Sequence, residues 1–161
     1  MLIGVLSDTH VPGRAKSIPK EIFHGFTGVD MIIHAGDICE EYVLNELELI
    51  APVKAVAGNM DSWDLHKRIP RKQILDLVGY KIGIIHGDGD EGNTMQRVFD
   101  AFKDDKVDCI VFGHSHQAFN SLSGDVLLFN PGSPTNKRRS KYFSYGLLQI
   151  GETIEAKIVY F

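Results

Sequence analysis

The sequence has only two cysteines, no long apolar run and no excess of basic residues. Cys39 and Cys109 are far apart and belong to no ligand-like pair, which argues against a disulfide framework or a thiolate zinc site. No apolar run approaches the roughly 20 residues that a membrane-spanning helix needs, and the first residues lack the basic and apolar regions of a signal peptide. These absences predict a cytoplasmic protein without a membrane contact.

The charge balance and the absence of linkers limit the partners and the number of domains. The 17 lysines and arginines are outnumbered by 21 aspartates and glutamates, giving a net charge of -4, which argues against a nucleic-acid partner. A small phosphorylated substrate is compatible with this charge, because a bound cation can supply positive charge locally. The chain has no repeat and no Pro-, Gly- or Ser-rich linker, and we predict a single domain over residues 1–161.

Short apolar runs alternate with amphipathic stretches along the chain. Six runs are rich in Val and Ile and too short for helices, and their near-continuous apolar character predicts strands that are buried on both faces. They comprise residues 2–6, 31–35, 53–57, 81–85, 109–112 and 126–129. Apolar residues at helical spacing predict covering helices at residues 19–26, 40–50 and 94–102.

The end of the chain has a different pattern. Residues 144–150 and 153–161 flank a Gly151-Glu152 turn and are typical of an antiparallel hairpin. All of these elements together predict an α/β or α+β fold, in which two packed sheets of mixed strand direction form a β-sandwich flanked by helices.

Polar side chains follow five of the six predicted buried strands at the point where each strand ends. In a mainly parallel sheet these ends gather along one edge, where ligand sites of α/β proteins form. Carboxylates and neutral imidazoles bind first-row divalent metals, a carboxylate can bridge two ions, and an amide oxygen adds a ligand without charge. The side chains concerned are those of Asp8, His10, Asp37, Asn59, His86, His114 and His116.

Each of these residues also has a simpler explanation. An Asp after a strand commonly caps a helix or forms a turn, and a single His there is often only a hydrogen-bonded polar group. Four of the seven histidines nevertheless fall in these strand-end motifs. Such residues would not be expected to occur by chance at five separate strand ends. The pattern therefore predicts a pair of divalent metal ions that would activate a water molecule.

A known family has these motifs in the same order. The chain resembles the calcineurin-like metallophosphoesterase superfamily in the set Asp8-x-His10, Gly36-Asp37, Gly58-Asn59, His86 and Gly113-His114-x-His116. Its length and the run Asn130-Pro131-Gly132-Ser133 resemble the small bacterial and archaeal phosphodiesterase branch, to which the retromer scaffold subunit is also similar. The resemblance extends over nearly the whole chain and implies a β-sandwich with a dimetal site at the carboxyl ends of the strands.

The resemblance implies two metal positions that share one carboxylate. One ion would be held by Asp8, His10, Asp37 and His116, and the other by Asp37, Asn59, His86 and His114. A metal-bridging hydroxide would attack phosphorus, and the implied catalytic residues are Asp37, Asn59 and His114, with Asn59 stabilising charge on the phosphate oxygens. The imidazole ligands argue against a dedicated Mg²⁺ site, so Mn²⁺ is the expected metal, with Fe, Zn²⁺, Ni²⁺ or Co²⁺ as alternatives.

The same resemblance implies a group of phosphate-binding residues. These would be Asn59, Asn130, Ser133 and Arg138, the last of which occupies the place where relatives carry an arginine. Relatives usually have a proline before that arginine, whereas this chain has Lys137. The choice between Arg138 and Arg139 therefore stays open, and a solvated basic turn is the alternative.

The residue after Asn59 departs from the family pattern. Many members have a histidine there that is thought to protonate the leaving group, but this chain has Met60, and a thioether cannot donate a proton. The departure favours phosphodiesters and activated esters over phosphomonoesters. It also keeps open a second class of function, a protein-interaction scaffold with the same fold, although a scaffold has no physical need for seven converging ligands.

Three further residues near the motifs each have two possible roles. His34 could orient Asp37 or be an ordinary strand residue, and Asp61 and Asp88 could hold ligand imidazoles or cap turns. An exposed sheet edge or helix would also allow the chain to form a homo-oligomer.

Overall fold

The computed structural model describes all residues from 1 to 161, and its first sheet begins with the amino-terminal strand. The strands of this sheet are β1 (Leu2–Leu6), β2 (Met31–His34), β3 (Val53–Ala55), β9 (Ser144–Ile150) and β10 (Ile154–Tyr160). Their spatial order is β10-β9-β1-β2-β3. β1, β2 and β3 are parallel, and β9 pairs antiparallel with both β1 and β10. The predicted carboxyl-terminal hairpin is therefore confirmed as one edge of this sheet.

The second sheet also has five strands. These are β4 (Lys72–Leu77), β5 (Tyr80–Ile85), β6 (Cys109–Phe112), β7 (Phe119–Ser123) and β8 (Val126–Asn130), in the spatial order β4-β5-β6-β8-β7. The three central strands β5, β6 and β8 are parallel, and the two edge strands pair antiparallel with their neighbours. The carboxyl ends of β5 and β6 consequently lie on the same edge of the sheet.

Four helices cover the sheets: α1 (Lys20–Gly25), α2 (Glu41–Glu48), α3 (Trp63–Arg68) and α4 (Thr94–Phe102). One apolar cluster joins α1 and α2 to the first sheet, through residues such as Ile22, Val43 and Ile32. A second cluster joins the two sheets, and a third joins α4 to the second sheet. The layers thus run helix, sheet, sheet, helix, which confirms the predicted two-sheet sandwich with flanking helices. None of the helices is long and apolar enough to cross a bilayer.

Three elements were missing from the sequence prediction, and each of them buries little. β7 is exposed along its whole length, so it has no apolar alternation that would indicate a strand. β4 contains no fully buried residue, and in α3 only Leu65 is buried. α3 is instead defined at its start by Ser62, whose side chain accepts a hydrogen bond from the backbone N–H of Leu65.

Candidate metal centre

The seven predicted ligands all lie just beyond the carboxyl ends of parallel strands. In the first sheet, Asp8 and His10 follow β1, Asp37 follows β2 and Asn59 follows β3. In the second sheet, His86 follows β5 directly, and His114 and His116 follow β6. Because the two sheets pack face to face, these loops come from both sheets toward one end of the sandwich. The first sheet supplies both carboxylates and the amide, and the second supplies only imidazoles.

The carboxylate and imidazole atoms of five of these residues converge at short distances. Asp37 Oδ2 lies 3.4 Å from His10 Nε2 and 3.2 Å from His86 Nε2. Asp8 Oδ1 lies 3.2 Å from His116 Nε2, and the Nε2 atoms of His10 and His116 are 3.2 Å apart. Two groups each have their ligand atoms within 4.8 Å of one another, Asp8 with His10 and His116, and Asp8 with Asp37 and His86. Both groups have the spacing that a coordinated cation requires.

Several of these ligand atoms are buried and have no hydrogen-bond partner. They are Asp8 Oδ1, His86 Nε2 and His114 Nδ1. A buried polar atom left without a partner destabilises a protein by roughly 1–3 kcal/mol, so such atoms are rare unless something else satisfies them. A divalent cation between the carboxylates and imidazoles would satisfy Asp8 Oδ1 and His86 Nε2 at once. The residues present therefore fit a metal site.

The opposite edges of three imidazole rings are fixed by other groups. His86 Nδ1 lies 2.8 Å from the carbonyl oxygen of Ala35, and His116 Nδ1 lies 2.5 Å from that of Asn136. His10 Nδ1 lies 3.9 Å from the sulfur of Cys39. A hydrogen on each Nδ1 would donate to these acceptors and leave the Nε2 lone pair free to bind a metal. The hydrogen-bond partners therefore select the ligating tautomer.

The electrostatics of the cluster favour a positive charge at its centre. Burial raises the pKa of Asp37, but His86 and the backbone N–H of Met60 outweigh it and lower the pKa to about 2. Burial likewise opposes the charged form of His86, yet the neighbouring carboxylates of Asp37 and Asp8 raise the pKa of His86 to about 9. The two carboxylates thus stabilise a cation that is buried between them, whether it is a proton or a metal ion.

The backbone is strained at the ligand residues. Non-glycine residues rarely adopt positive φ, and doing so costs on the order of 1–3 kcal/mol. Eight non-glycine residues in the chain have positive φ, and five of them are predicted ligands. These are Asp8 (55°), His10 (46°), Asp37 (56°), His114 (66°) and His116 (60°). Strain concentrated on the ligands of one cluster is typical of a functional site that the surrounding fold holds in place.

Gly58 lets two of the loops approach closely. A Cβ atom at this position would overlap the side chain and backbone of Asp37 and would lie 2.9 Å from Cδ2 of His86. The glycine before Asn59 is therefore required by the packing of the ligand loops. Gly113, before His114, is required for the same reason, because a Cβ atom there would overlap the hydroxyl group of Ser7.

Asp61 and His34 have structural roles beneath the cluster. The Asp61 carboxylate accepts hydrogen bonds from the backbone N–H groups of Ile38, Cys39 and Gly58, at 2.5–2.7 Å. It thereby ties the loop after β2 to the loop after β3. His34 Nε2 lies 3.1 Å from the hydroxyl of Thr9, which in turn lies 3.4 Å from the backbone carbonyl oxygen of Asp37. His34 therefore reaches the loop of Asp37 through Thr9 rather than through the Asp37 side chain.

Asp88, the third ambiguous residue, is outside the cluster. Its carboxylate pairs with the guanidinium group of Arg71. It holds none of the ligand imidazoles.

Asn130 and Ser133 are buried, and their polar atoms are already engaged. Ser133 Oγ donates to the carbonyl oxygen of Asp8 at 2.7 Å and accepts from the N–H of Asn136 at 2.9 Å. Asn130 Nδ2 donates to the carbonyl oxygen of Gly113 at 2.9 Å, and its Oδ1 accepts from the N–H of Gly132. Both side chains hold the ligand loops from below, and this geometry favours a positioning role over the direct phosphate contact that the resemblance implied.

A cavity of about 260 Å³ opens above the ligand cluster. The residues lining it are His10, Arg14, Asp37, Asn59, Met60, Asn136 and Arg138. Asn59 and Arg138, both predicted to bind phosphate, therefore border the cavity, whereas Arg139 does not. Asn136 was not singled out from the sequence, because it lies in a loop without a motif of its own. The Arg138 side chain is positioned by a 3.1 Å hydrogen bond from Nη1 to the carbonyl oxygen of His114.

Comparison with known sequences identifies the class of protein that this fold and site define. Residues 1–153 match the calcineurin-like phosphoesterase superfamily domain. The chain therefore belongs to this superfamily of metal-dependent phosphoesterases.

Two archaeal relatives support the assignment over the full chain. A probable metallophosphoesterase of Methanothermobacter thermautotrophicus is 39% identical over 161 residues, covering 99% of this chain and 92% of the relative. A probable metallophosphoesterase of Methanocaldococcus jannaschii is 42% identical over 162 residues, covering 99% of this chain and 81% of the relative.

Solved structures give the same fold. An archaeal phosphodiesterase superimposes with a TM-score of 0.76 at 27% identity, and the match covers 100% of both chains. Vps29 of Chaetomium thermophilum superimposes with a TM-score of 0.81 at 19% identity, covering 100% of this chain and 97% of that one. At such low identity the likeness to Vps29 concerns the fold alone.

Proposed function

We propose that this protein is a dimetal phosphodiesterase that hydrolyses a small phosphorylated substrate. The observation that carries the proposal is the buried cluster of carboxylate and imidazole atoms, in which Asp8 Oδ1 and His86 Nε2 have no hydrogen-bond partner. The phosphodiesterase named above, which shares 27% identity and the fold, supports the same activity for this chain.

The proposed ligands divide into two sets that share Asp37. Asp8, His10, Asp37 and His116 would hold one ion, and Asp37, Asn59, His86 and His114 would hold the other. Asp37 suits the bridging position because its Oδ2 lies between His10 and His86, at 3.4 and 3.2 Å from their Nε2 atoms. The two carboxylates and the amide carry only two negative charges, so two divalent ions would leave a net positive site for a phosphate.

Two divalent ions bound here would lower the pKa of a water molecule and polarise the phosphate oxygens. Four imidazole ligands favour Mn²⁺, Fe, Zn²⁺, Ni²⁺ or Co²⁺ over Mg²⁺, with Mn²⁺ as our first choice. Asn59 is exposed at the cavity wall, where its amide would donate to an oxygen of the bound phosphate. Asp37, Asn59 and His114 are the residues to which we assign catalysis, and Arg138 would add a charged donor for a phosphate group of the substrate.

Met60 is the basis for choosing diesters over monoesters. Its side chain is 57% exposed and lines the cavity, where a proton donor for the leaving group would be needed. His10 is the only imidazole on the cavity wall, and we assign it to a metal. A substrate whose leaving group departs without protonation is therefore favoured, such as an activated or acidic phosphodiester.

The first test is metal-dependent hydrolysis of bis(p-nitrophenyl) phosphate, an activated diester. We expect no activity after chelation, full activity after Mn²⁺ is added back, and at least about a 100-fold loss in Asp37→Asn. Asp88→Asn is the matched control, because Asp88 also follows a strand that carries a proposed ligand, β5, but pairs with Arg71. Absence of metal-dependent hydrolysis in a folded protein would refute the proposal.

The second candidate is a protein-interaction scaffold, which the likeness to Vps29 and the absence of a proton donor at residue 60 favour. A scaffold would need neither a metal nor the strained ligand loops. Equilibrium dialysis of the protein against its partner separates the two functions. A scaffold would have the same affinity for its partner with and without Mn²⁺, and the same affinity in Asp37→Asn. We also propose that the protein is cytoplasmic and has no nucleic-acid partner. The fold is compatible with a homo-oligomer.

A further inference from the structure

We infer that Arg14 and Arg138 form a second anion subsite beside the metal centre, so that the substrate is a phosphodiester carrying an additional phosphate group. This inference rests on the proposed function only in taking the substrate to be a phosphodiester. The subsite itself depends on the two guanidinium groups and on the cavity they share. Arg14 has no part in the ligand assignment.

The two arginines reach the same cavity from different loops. Arg14 lies in the loop after His10, and its backbone N–H donates to the carbonyl oxygen of His10 at 2.6 Å. Arg138 lies in the loop before β9 and is anchored on the carbonyl oxygen of His114. Both side chains line the cavity above the ligand cluster. Each arginine is therefore tied to a loop that carries a proposed metal ligand.

Neither guanidinium group has a carboxylate partner, unlike several arginines elsewhere. Arg68 pairs with Glu41 and Arg71 with Asp88, whereas Arg97 donates to three backbone carbonyl groups. No carboxylate lies within ion-pair distance of Arg14 or Arg138. Asp37, the single acidic residue that lines the cavity, belongs to the proposed metal ligands.

The charge of the metal centre does not require these two arginines. Two divalent ions bring four positive charges, and Asp8 and Asp37 neutralise two of them. An anionic nucleophile and the single negative charge of a phosphodiester neutralise the remaining two. The two guanidinium groups would then leave two positive charges uncompensated next to the scissile phosphate. A second phosphate group, with about two negative charges, matches that surplus and the forked geometry of arginine.

The remaining wall of the cavity fits a small substrate. The cavity volume of about 260 Å³ lies just below the roughly 300–1,000 Å³ of ligand cavities, and the cavity is too small to enclose a polymer. Met60 provides an apolar surface, and the amide of Asn136 provides a neutral hydrogen-bonding group. A short linker between two phosphate groups, such as a sugar, would contact these two side chains.

Binding of two matched nucleotides tests the subsite without relying on turnover. Isothermal titration of the Mn²⁺-loaded protein would compare thymidine 5′-monophosphate with thymidine 3′,5′-bisphosphate, which differ only by the second phosphate. We expect the bisphosphate to bind about tenfold more tightly, because a charge-assisted contact is worth that much. In Arg14→Gln the advantage should fall below about threefold, while the affinity for the monophosphate stays nearly constant.

Arg139→Gln is the matched control, because Arg139 is an exposed neighbour of Arg138 that does not line the cavity. The control should retain the full preference for the bisphosphate. Equal affinities of the wild-type protein for the two nucleotides would overturn the inference, as would an equal loss of preference in Arg14→Gln and Arg139→Gln.

The hydrolysis assay keeps this inference separate from the proposed function. Hydrolysis of bis(p-nitrophenyl) phosphate together with equal nucleotide affinities would refute the subsite and leave the phosphodiesterase standing. A preference for the bisphosphate that depends on Arg14, without any hydrolysis, would support the subsite and refute the phosphodiesterase.

Discussion

The floor and the rim of the candidate site are built in opposite ways. The floor consists of Asp8, His10, Asp37, His86 and His116, which are buried and follow the ends of buried strands. Four of these five residues have a strained backbone with positive φ, and only His86 does not. The rim consists of Arg14, Met60 and Arg138, which are exposed and lie in loops.

This difference separates two parts of the function. A metal site needs ligand atoms held to within a fraction of an ångström, and only packed elements provide such precision. Substrate selection needs groups that reach beyond the phosphate, and exposed loops can change these groups without affecting the floor. We therefore expect substitutions in the floor to abolish activity on all substrates and substitutions in the rim to change which substrates are hydrolysed.

The largest effect should come from a methyl group inserted into the floor. Gly58→Ala would place its Cβ against Asp37 and His86, so the carboxylate that we propose as the metal bridge must move. A displacement of about 1 Å at reacting groups costs on the order of 100-fold in rate, and we expect a loss of that size in kcat together with weaker Mn²⁺ binding. The measurements are metal-dependent hydrolysis of bis(p-nitrophenyl) phosphate and metal content after dialysis.

Gly151→Ala controls for the general effect of replacing glycine. Gly151 lies in the turn between β9 and β10, and an added Cβ there meets no atom within 4 Å. This variant should keep wild-type activity and metal content. Wild-type metal binding and activity in Gly58→Ala would show that the floor tolerates movement, and the contrast with the rim would then be wrong.

A gain of function at the rim would sharpen the comparison. Met60→His introduces an imidazole at the cavity wall while leaving the buried ligands unchanged. General acid catalysis raises a rate by roughly 100- to 10,000-fold when the acid is well placed. The introduced imidazole is not optimally placed, so we expect it to raise the rate of p-nitrophenyl phosphate hydrolysis by about tenfold. Its rate should fall at high pH as the imidazole loses its proton, whereas bis(p-nitrophenyl) phosphate hydrolysis should change little.

Met60→Gln is the control for size and polarity, because an amide does not act as a general acid. It should leave monoester hydrolysis at the wild-type level. If Met60→His and Met60→Gln have equal rates on both esters at every pH, the absence of a proton donor is not what limits monoester hydrolysis.

The floor could be predicted from the sequence because its ligands follow buried strands. A run such as 109–112 is apolar throughout, and His114 and His116 follow it at a fixed distance. The apolar pattern of the sequence therefore predicted both the strand and the position of the ligands after it. The same reasoning could not locate β7, since none of its residues is buried and its pairing with β8 depends on the backbone.

The rim and the supporting contacts could not be predicted in this way. Arg14 is a solvent-exposed loop residue, and nothing in its local sequence indicates that the loop bends toward Asp37. Asp61 lies in a stretch that resembles an ordinary turn, yet its carboxylate joins the loop that contains Ile38 and Cys39, which precede it by 23 and 22 residues, to the loop that contains Gly58. Contacts of this kind depend on three-dimensional packing of loops, which local propensity does not encode.

The smallest effect should come from Ser133→Ala, which tests whether Ser133 belongs to the floor or to the rim. In the structure its hydroxyl supports the carbonyl oxygen of Asp8 and the N–H of Asn136, and Asn136 in turn supports His116. Loss of these contacts should destabilise the protein by about 1 kcal/mol, lowering the unfolding midpoint by roughly 3 °C, and should reduce Mn²⁺ affinity a few-fold. A direct phosphate contact would instead raise KM and leave the metal affinity unchanged.

Ser144→Ala separates the local effect on the ligands from general destabilisation. Ser144 is also buried, and its hydroxyl donates to the carbonyl oxygen of Pro131 at 2.7 Å without touching a ligand loop residue of the cluster. This variant should lower the unfolding midpoint by a similar amount and keep wild-type Mn²⁺ affinity. A few-fold loss of metal affinity in Ser133→Ala alone would assign Ser133 to the floor, since only the floor positions metal ligands, whereas a change in KM alone would return it to the rim.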